Sequence, residues 1–261
     1  EVLSNPASAR ISRVAGLSRR NARTKHRRFL VEGPQGVREA VRYAPGRVLD
    51  VYLTEAALER HSEIWDEAVA AGLYVHVTTQ QVMDAMSPDA QGLLAVVATE
   101  EATGSEALTA ALEGARLVAG TIIRAADAAG ADAVVLVRGS VDPTAPKVVR
   151  STAGSLFHLP VVTGVALDDA VTALHNAGLT VLAADGRGDF DLFEAEALLE
   201  APSAWLLGNE AHGLPSEALS RADAVVSIPI YGKAESLNVA AAAAVCLYAS
   251  ARAQAQHSGR S

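Results

Sequence analysis

Short apolar runs alternate with amphipathic stretches along most of the 261-residue chain. Phe29 to Glu32 reads as a strand, Gly33-Pro34 punctuates it, and Gln35 to Tyr43 has helical spacing. Strands are predicted over Val48 to Leu53 and Leu73 to Val77, separated by a helix from Glu55 to Ala71. Thr78 or Thr79 is placed to cap a short helix through Met86, which Ser87-Pro88 stops, and Leu93 to Ala98 reads as a buried strand. Residues 26–98 are thus expected to form a small α/β domain.

The polar, turn-rich stretch Thr99 to Glu106 marks a linker, assigned to residues 99–114. A second α/β series follows over residues 115–256. Its short apolar strands are Ala133 to Val137, Val161 to Thr163, Thr180 to Ala184, Trp205 to Leu207 and Val225 to Ile228. Helical stretches alternate with them near Thr121 to Ala129, Lys147 to Leu156, Asp168 to Asn176 and Leu237 to Ala253. Such alternation predicts an α/β fold with a mostly parallel sheet covered on both faces, whose ligands bind at the carboxyl ends of the strands.

Half the residues are apolar, enough for a sizeable core, which excludes a disordered or fibrous chain. The apolar runs fall short of a membrane span and the N-terminus is basic, so a cytoplasmic location without membrane contact is expected. The single cysteine, Cys246, lies in an apolar run and reads as a small buried hydrophobe. The net charge of −8 is unevenly spread: residues 1–47 hold 11 of the 22 lysines and arginines but 3 of the 30 acidic residues, a local +8 that leaves −16 on the rest. Within it, Arg10, Arg13, Arg19, Arg20, Arg23, Lys25, Arg27 and Arg28 fall in 19 residues, interrupted by Ser, Gly and Asn that discourage a rigid helix. Residues 1–25 read either as a basic arm that meets a polyanion or as a solvated tail.

Four segments of the second series carry chemistry. In Thr121-Ile-Ile-Arg-Ala-Ala-Asp the strong cation is Arg124, with Asp127 one turn on as its bland partner. In the segment from Gly139 to Pro160, Pro143 and Pro146 fix a turn, and Lys147 and Arg150 are placed three residues apart on one helix side to grip phosphates. His158, beside Phe157 and Leu159, reads as a core histidine. Leu206-Leu-Gly-Asn-Glu-Ala-His-Gly-Leu-Pro215 has the form of a strand-end binding loop in which Gly208 lets a ligand approach the backbone. Leu214-Pro215 stands where a triphosphate-binding loop requires Lys-Ser/Thr, which rejects that reading. The last segment, Ser227-Ile-Pro-Ile-Tyr-Gly-Lys-Ala-Glu-Ser-Leu-Asn-Val239, runs from a strand through a Pro/Gly loop into an alanine-rich helix, with Ser236 as the expected N-cap.

These four segments, in this order, resemble the SpoU (TrmH-type) branch of the SPOUT methyltransferases. The resemblance implies methyl transfer from S-adenosyl-L-methionine to a ribose 2′-hydroxyl, with ribosomal RNA the favoured substrate. It also implies a deep trefoil knot, a homodimer and no metal. It makes Arg124 the catalytic arginine, because the hydroxyl is a poor nucleophile whose proton must leave, and a guanidinium gripping the adjacent phosphate helps position and deprotonate it. By the same resemblance Glu210, Ser236 and Asn238 complete the catalytic set, while Gly208, Asn209, Ile228, Leu237 and Ala183 hold the cofactor. Residues 26–98 resemble the family's RNA-binding domain, opened by Arg28-Phe-Leu-Val-Glu-Gly33, and RNA contacts are expected from Arg19, Arg20, Arg23, Lys25, Arg28, Lys147 and Arg150.

The chain departs from the family pattern at one place. A buried strand and an Asp-Pro-x-Asn-type loop are expected before the arginine helix, yet Leu117-Val-Ala-Gly120 runs straight into Thr121, as though a stretch were skipped between Val118 and Ala119. Two rival functions stay open: methylation of a transfer RNA, and a catalytically silent RNA-binding module of the same fold. A nicotinamide dehydrogenase is excluded because no Gly-x-Gly-x-x-Gly follows any strand.

Overall fold

A computed structural model describes residues 2–100, 102–120, 122–208 and 213–258, with the side chains of 257 and 258 left aside. The chain divides into two units: residues 1–101 with 141–158, and residues 102–140 with 159–261.

The first unit begins with two helices, α1 (Ala9–Gly16) and α2 (Arg20–His26). The basic segment is therefore folded, contrary to the expectation that its Ser, Gly and Asn residues keep it from forming a helix. Ser8 caps α1 by accepting from Ile11 N, and Ile11, Val14 and Leu17, spaced three apart, are buried against Tyr52, Met83 and Leu94. Burial of one helical face outweighs weak local propensity.

There follow β1 (Arg28–Glu32), α3 (Pro34–Tyr43), β2 (Val48–Thr54), α4 (Glu55–Arg60), α5 (Ser62–Ala70), β3 (Val75–Thr78), α6 (Gln80–Met86) and β4 (Leu93–Ala98). The single helix expected over Glu55 to Ala71 is two, broken at His61. Thr79 rather than Thr78 caps α6. The strands form a sheet in the order β1-β4-β2-β3, with β4 antiparallel to both its neighbours and β3 parallel to β2.

The second unit opens with α7 (Gly104–Leu112), whose Leu108 and Leu112 are core residues, so most of the expected linker 99–114 is a packed helix. It continues through β5 (Leu117–Ala119), α8 (Ile123–Ala128) and β6 (Ala133–Val137). The crossover from β6 contains α9 (Pro146–Thr152), which belongs to the first unit although the sequence reading placed residues 115–256 in one catalytic domain. The rest is β7 (Val161–Val165), α10 (Leu167–Asn176), β8 (Thr180–Ala184), β9 (Phe190–Asp191), α11 (Glu196–Glu200), β10 (Ser203–Leu207), α12 (Ser216–Arg221), β11 (Ala224–Ser227) and α13 (Val239–Ser258).

Seven strands form one sheet in the order β7-β6-β5-β10-β8-β11-β9, and every pair in it is parallel. The strand before the arginine helix is present but shortened to three residues, held between β6 and β10. Chain connections leave β5 and β10 in opposite directions along the sheet, which is the switch point where open α/β sheets bind ligands. Among the described residues no helix is long and apolar enough to cross a membrane.

Candidate functional site

Four adjacent strands, β5, β10, β8 and β11, run parallel and therefore end on one edge of the sheet. Three of the four chemical segments leave from these ends, as does the loop after β8, while the segment from Gly139 follows β6. Gly120 follows β5, and its amide donates to Trp205 O at 3.0 Å. A Cβ at Gly120 would come within 3.0 Å of that same oxygen, so only glycine lets β5 lie this close to β10. After it, Ile122 adopts φ +57°, which is strained for a β-branched residue, and α8 begins at once. Arg124 stands exposed on the first turn of α8, and no ion pair involves it among the described residues.

From β10 the chain enters Gly208. A Cβ there would collide with the backbone of Gly213 and Leu214, so the returning chain fills the space a side chain would need. Asn209 and Glu210 lie outside the described residues. Ala183 is fully buried inside β8, paired with Leu206 and Val225.

Ile228 leaves the end of β11, and residues 231–238 form an exposed run before α13, including Ser236, Leu237 and Asn238. The N-cap of α13 is Asn238, not Ser236: its Oδ1 accepts from Ala241 N at 2.8 Å. The backbone groups of Ile228 and Leu237 carry no hydrogen bond among the described residues. Uncommitted donors and acceptors at strand-end loops fit a ligand with a polar edge, such as an adenine ring.

Sequence reasoning missed the loop after β8, Asp185-Gly-Arg-Gly-Asp189. Asp185 N donates to Val226 O, and a Cβ at Gly188 would sit 2.6 Å from Val225 O, which clamps this loop onto β11. Arg187 hydrogen-bonds the Asp185 carboxylate and holds it below the usual range. The Gly-x-Gly spacing was the available signal.

In the first unit, Arg19, Arg20 and Lys25 line a groove along α2 together with Asn21 and His26, and Arg28 is exposed at the start of β1. Arg23 differs from them. It is buried, donates to Leu17 O at 3.1 Å and Ser18 O at 2.7 Å, and pairs with Asp142 at 2.8 Å. Its guanidinium is thus removed from any phosphate-binding set. Lys147 is exposed on α9, but Arg150 pairs with the buried Glu32 and with Asp89 at 3.1 Å, so it is no free cation. His158 is no core histidine: it is partly exposed, lies 2.9 Å from Glu39 and meets the Tyr43 ring edge-on.

The SpoU rRNA Methylase family matches residues 119–248. The chain is 33% identical over 242 residues to the 23S rRNA (guanosine(2553)-2'-O)-methyltransferase RlmP of Bacillus subtilis, covering 89% of this chain and 92% of that protein. It is 26% identical to the 23S rRNA (guanosine-2'-O-)-methyltransferase RlmB of Bordetella pertussis, over 85% of this chain and 96% of that one. The crystal structure of the SpoU methyltransferase AviRb from Streptomyces viridochromogenes, in complex with AdoMet, superposes with a TM-score of 0.79 at 29% identity, over 95% of this chain and all of that one. The chain belongs to the SpoU methyltransferase family.

Proposed function

We propose that this protein transfers the methyl group of S-adenosylmethionine to a ribose 2′-hydroxyl of ribosomal RNA. The observation that carries the reading is the convergence of Arg124, the Gly208 loop, the Asp185 loop and the Ile228 to Asn238 segment on one edge of the parallel sheet, at its switch point. The related RlmP and RlmB proteins, named for 2′-O-methylation of 23S rRNA, support the substrate class, and the AdoMet complex of AviRb supports the cofactor.

When bound, S-adenosylmethionine supplies an electrophilic methyl group. The uncommitted backbone of Ile228 and Leu237 holds it, and Ala183 and Gly208, with Asn209 and Glu210 beyond the described residues, belong to the same proposed set. Arg124, which pairs with no carboxylate among the described residues, grips the phosphate beside the target ribose and lowers the cost of removing the hydroxyl proton. Ser236 and Asn238 face the ribose from the α13 side. Proximity and orientation contribute the rate, with no covalent enzyme intermediate.

RNA is held by the groove of Arg19, Arg20 and Lys25 and by Arg28 and Lys147. A homodimer and a knotted C-terminal segment belong to the same proposal. The dimer is supported by the exposed apolar side chains of Ile230, Tyr231, Leu237 and Tyr248 around α13. A cytoplasmic location belongs to the same proposal, supported by ribosomal RNA as the substrate.

The test is transfer of labelled methyl from S-adenosylmethionine to unmodified ribosomal and transfer RNA, with Arg124→Ala in parallel. Label recovered as 2′-O-methylribose in ribosomal RNA and reduced at least a hundredfold in the variant is the expected result. Tight RNA binding without label would instead identify a silent module.

A further inference from the structure

The helix that carries Arg124 is poorly supported by its own sequence. α8 has six residues, starts without a side-chain cap at Ile122, whose φ of +57° is strained, and buries only Ile123 and Ala126. A helix this short does not hold its shape alone, so what packs on it decides where the Arg124 guanidinium points.

Its C-terminal end is fully closed. A helix leaves its last four carbonyls without partners of its own. In α8 the following turn meets three of them: Ala129 N donates to Ala125 O at 3.0 Å, Ala131 N to Ala126 O at 2.9 Å and Gly130 N to Asp127 O at 3.0 Å. The fourth, Ala128 O, accepts from the Tyr248 hydroxyl at 2.9 Å, 120 residues further along the chain.

Tyr248 stands on a fixed platform. It follows the buried Cys246 and Leu247 in α13. Two residues on, the fully buried Ser250 accepts from Trp205 Nε1 of β10 at 2.9 Å. Gln254 Nε2 then donates to Arg116 O, just before β5, at 3.1 Å and to Ala201 O at 3.0 Å. Buried hydrogen bonds of this kind hold α13 rigidly against the strands.

We propose that Tyr248 is a positioning residue for methyl transfer, its hydroxyl tethering α8 to α13 so that Arg124 is held at the reacting edge of the sheet. The inference rests on the reading of this protein as an RNA methyltransferase with Arg124 beside the target phosphate. α13 starts directly after Asn238, which caps it and ends the segment proposed to hold the cofactor. Through Tyr248 the arginine helix and the cofactor segment are registered to one rigid element, and small misplacements of a catalytic group are costly.

The test compares the full chain with Tyr248→Phe, which keeps the ring and removes only the hydroxyl, and with the control Tyr74→Phe, an exposed tyrosine of the first unit. Amide hydrogen exchange over residues 123–131 and over α13 reads the tether without any methyl transfer. Steady-state transfer to ribosomal RNA reads its use. Tyr248→Phe is expected to exchange faster over 123–131, with α13 protected as in wild type and Tyr74→Phe unchanged throughout. Its kcat should fall about tenfold, while KM for S-adenosylmethionine stays within about twofold. Adding Tyr248→Phe to Arg124→Ala should lower transfer no further, because the hydroxyl acts through the arginine. Wild-type exchange over 123–131, wild-type kcat, or a fully additive loss in the double variant overturns the proposal. If the wild-type chain itself transfers no methyl group, the functional reading fails and the positioning role with it, while the exchange comparison still decides whether the tether exists.

Discussion

Arg23 and Asp142 show how a charge can look functional in sequence and be structural in the fold. Arg23 spends its guanidinium on two carbonyls and one carboxylate, and Asp142 in turn accepts from Thr144. Burial pushes the Asp142 carboxyl up, but the hydrogen bonds from Arg23 and Thr144 outweigh it and hold the group below the usual carboxylate value. A depressed folded-state pKa stabilises the protein above about pH 4 and loses that contribution as pH falls through the folded value. Replacing Asp142 by Asn leaves the buried Arg23 without its anion and is expected to cost about 2 kcal/mol at pH 7. Thermal melts should show a Tm lower by about 5 °C at pH 7, with the gap to wild type closing below pH 4. An equal gap at pH 3 and pH 7 would contradict the ion-pair account. Cys246 gives a second test at this scale. Burial pushes its thiol up to about 12, so at pH 8 almost no thiolate exists. A thiol reagent is expected to leave the folded protein unlabelled while reacting fully in denaturant, and rapid stoichiometric labelling of the native state would refute that burial.

Elements show which parts of the pattern a chain makes readable. Asn238 ends an exposed run and caps α13, so its amide has a structural use beside the proposed ribose contact. Asn238→Ala removes the cap and should cost about 1 kcal/mol, whereas Asn238→Asp keeps an acceptor for Ala241 N and should preserve stability. If Asn238→Asp melts like wild type yet transfers methyl groups at least tenfold more slowly, the two roles are separate; unchanged transfer would confine Asn238 to capping. The strands β6 and β8 were legible because five-residue apolar runs sit between glycines and polar turns. Helices α1 and α2 were not, since Ile11, Val14 and Leu17 are hidden among arginines and declare a face only once a core exists to receive it. The destination of α9 was equally unreadable: Arg150 and Glu32 are 118 residues apart, and no local pattern specifies such a pairing. Within the candidate site, the loops at β10 and β11 stood out by their glycines, prolines and polar residues. The reason for Gly208 did not, because the backbone that fills its Cβ space belongs to residues five and six positions later. The shortened β5 lies inside the sheet between β6 and β10, where a broken local rule points to the site rather than to a packing accident.

At the scale of the whole molecule, the division of charge sets how RNA is met. The first 47 residues carry +8 and the remainder −16, so an approaching polyanion is drawn to one part of the chain and repelled by most of the rest. Folding does not bury this basic segment: Arg10, Arg13, Arg19, Arg20, Lys25 and Arg28 stay exposed, and only Arg23 is withdrawn into the core. Four phosphate contacts from Arg19, Arg20, Lys25 and Arg28 would release about three counterions from a single strand. RNA affinity should therefore fall roughly 50-fold between 50 and 200 mM salt. S-adenosylmethionine binds through backbone groups at the sheet edge in the proposed site, so its affinity should change less than twofold over the same range. Fluorescence titration of labelled RNA, with calorimetry for the cofactor, separates the two dependences. A shallow RNA slope that Arg19→Ala and Lys25→Ala leave unchanged would mean that the basic helices are a solvated surface, and that recognition rests on contacts elsewhere in the protein.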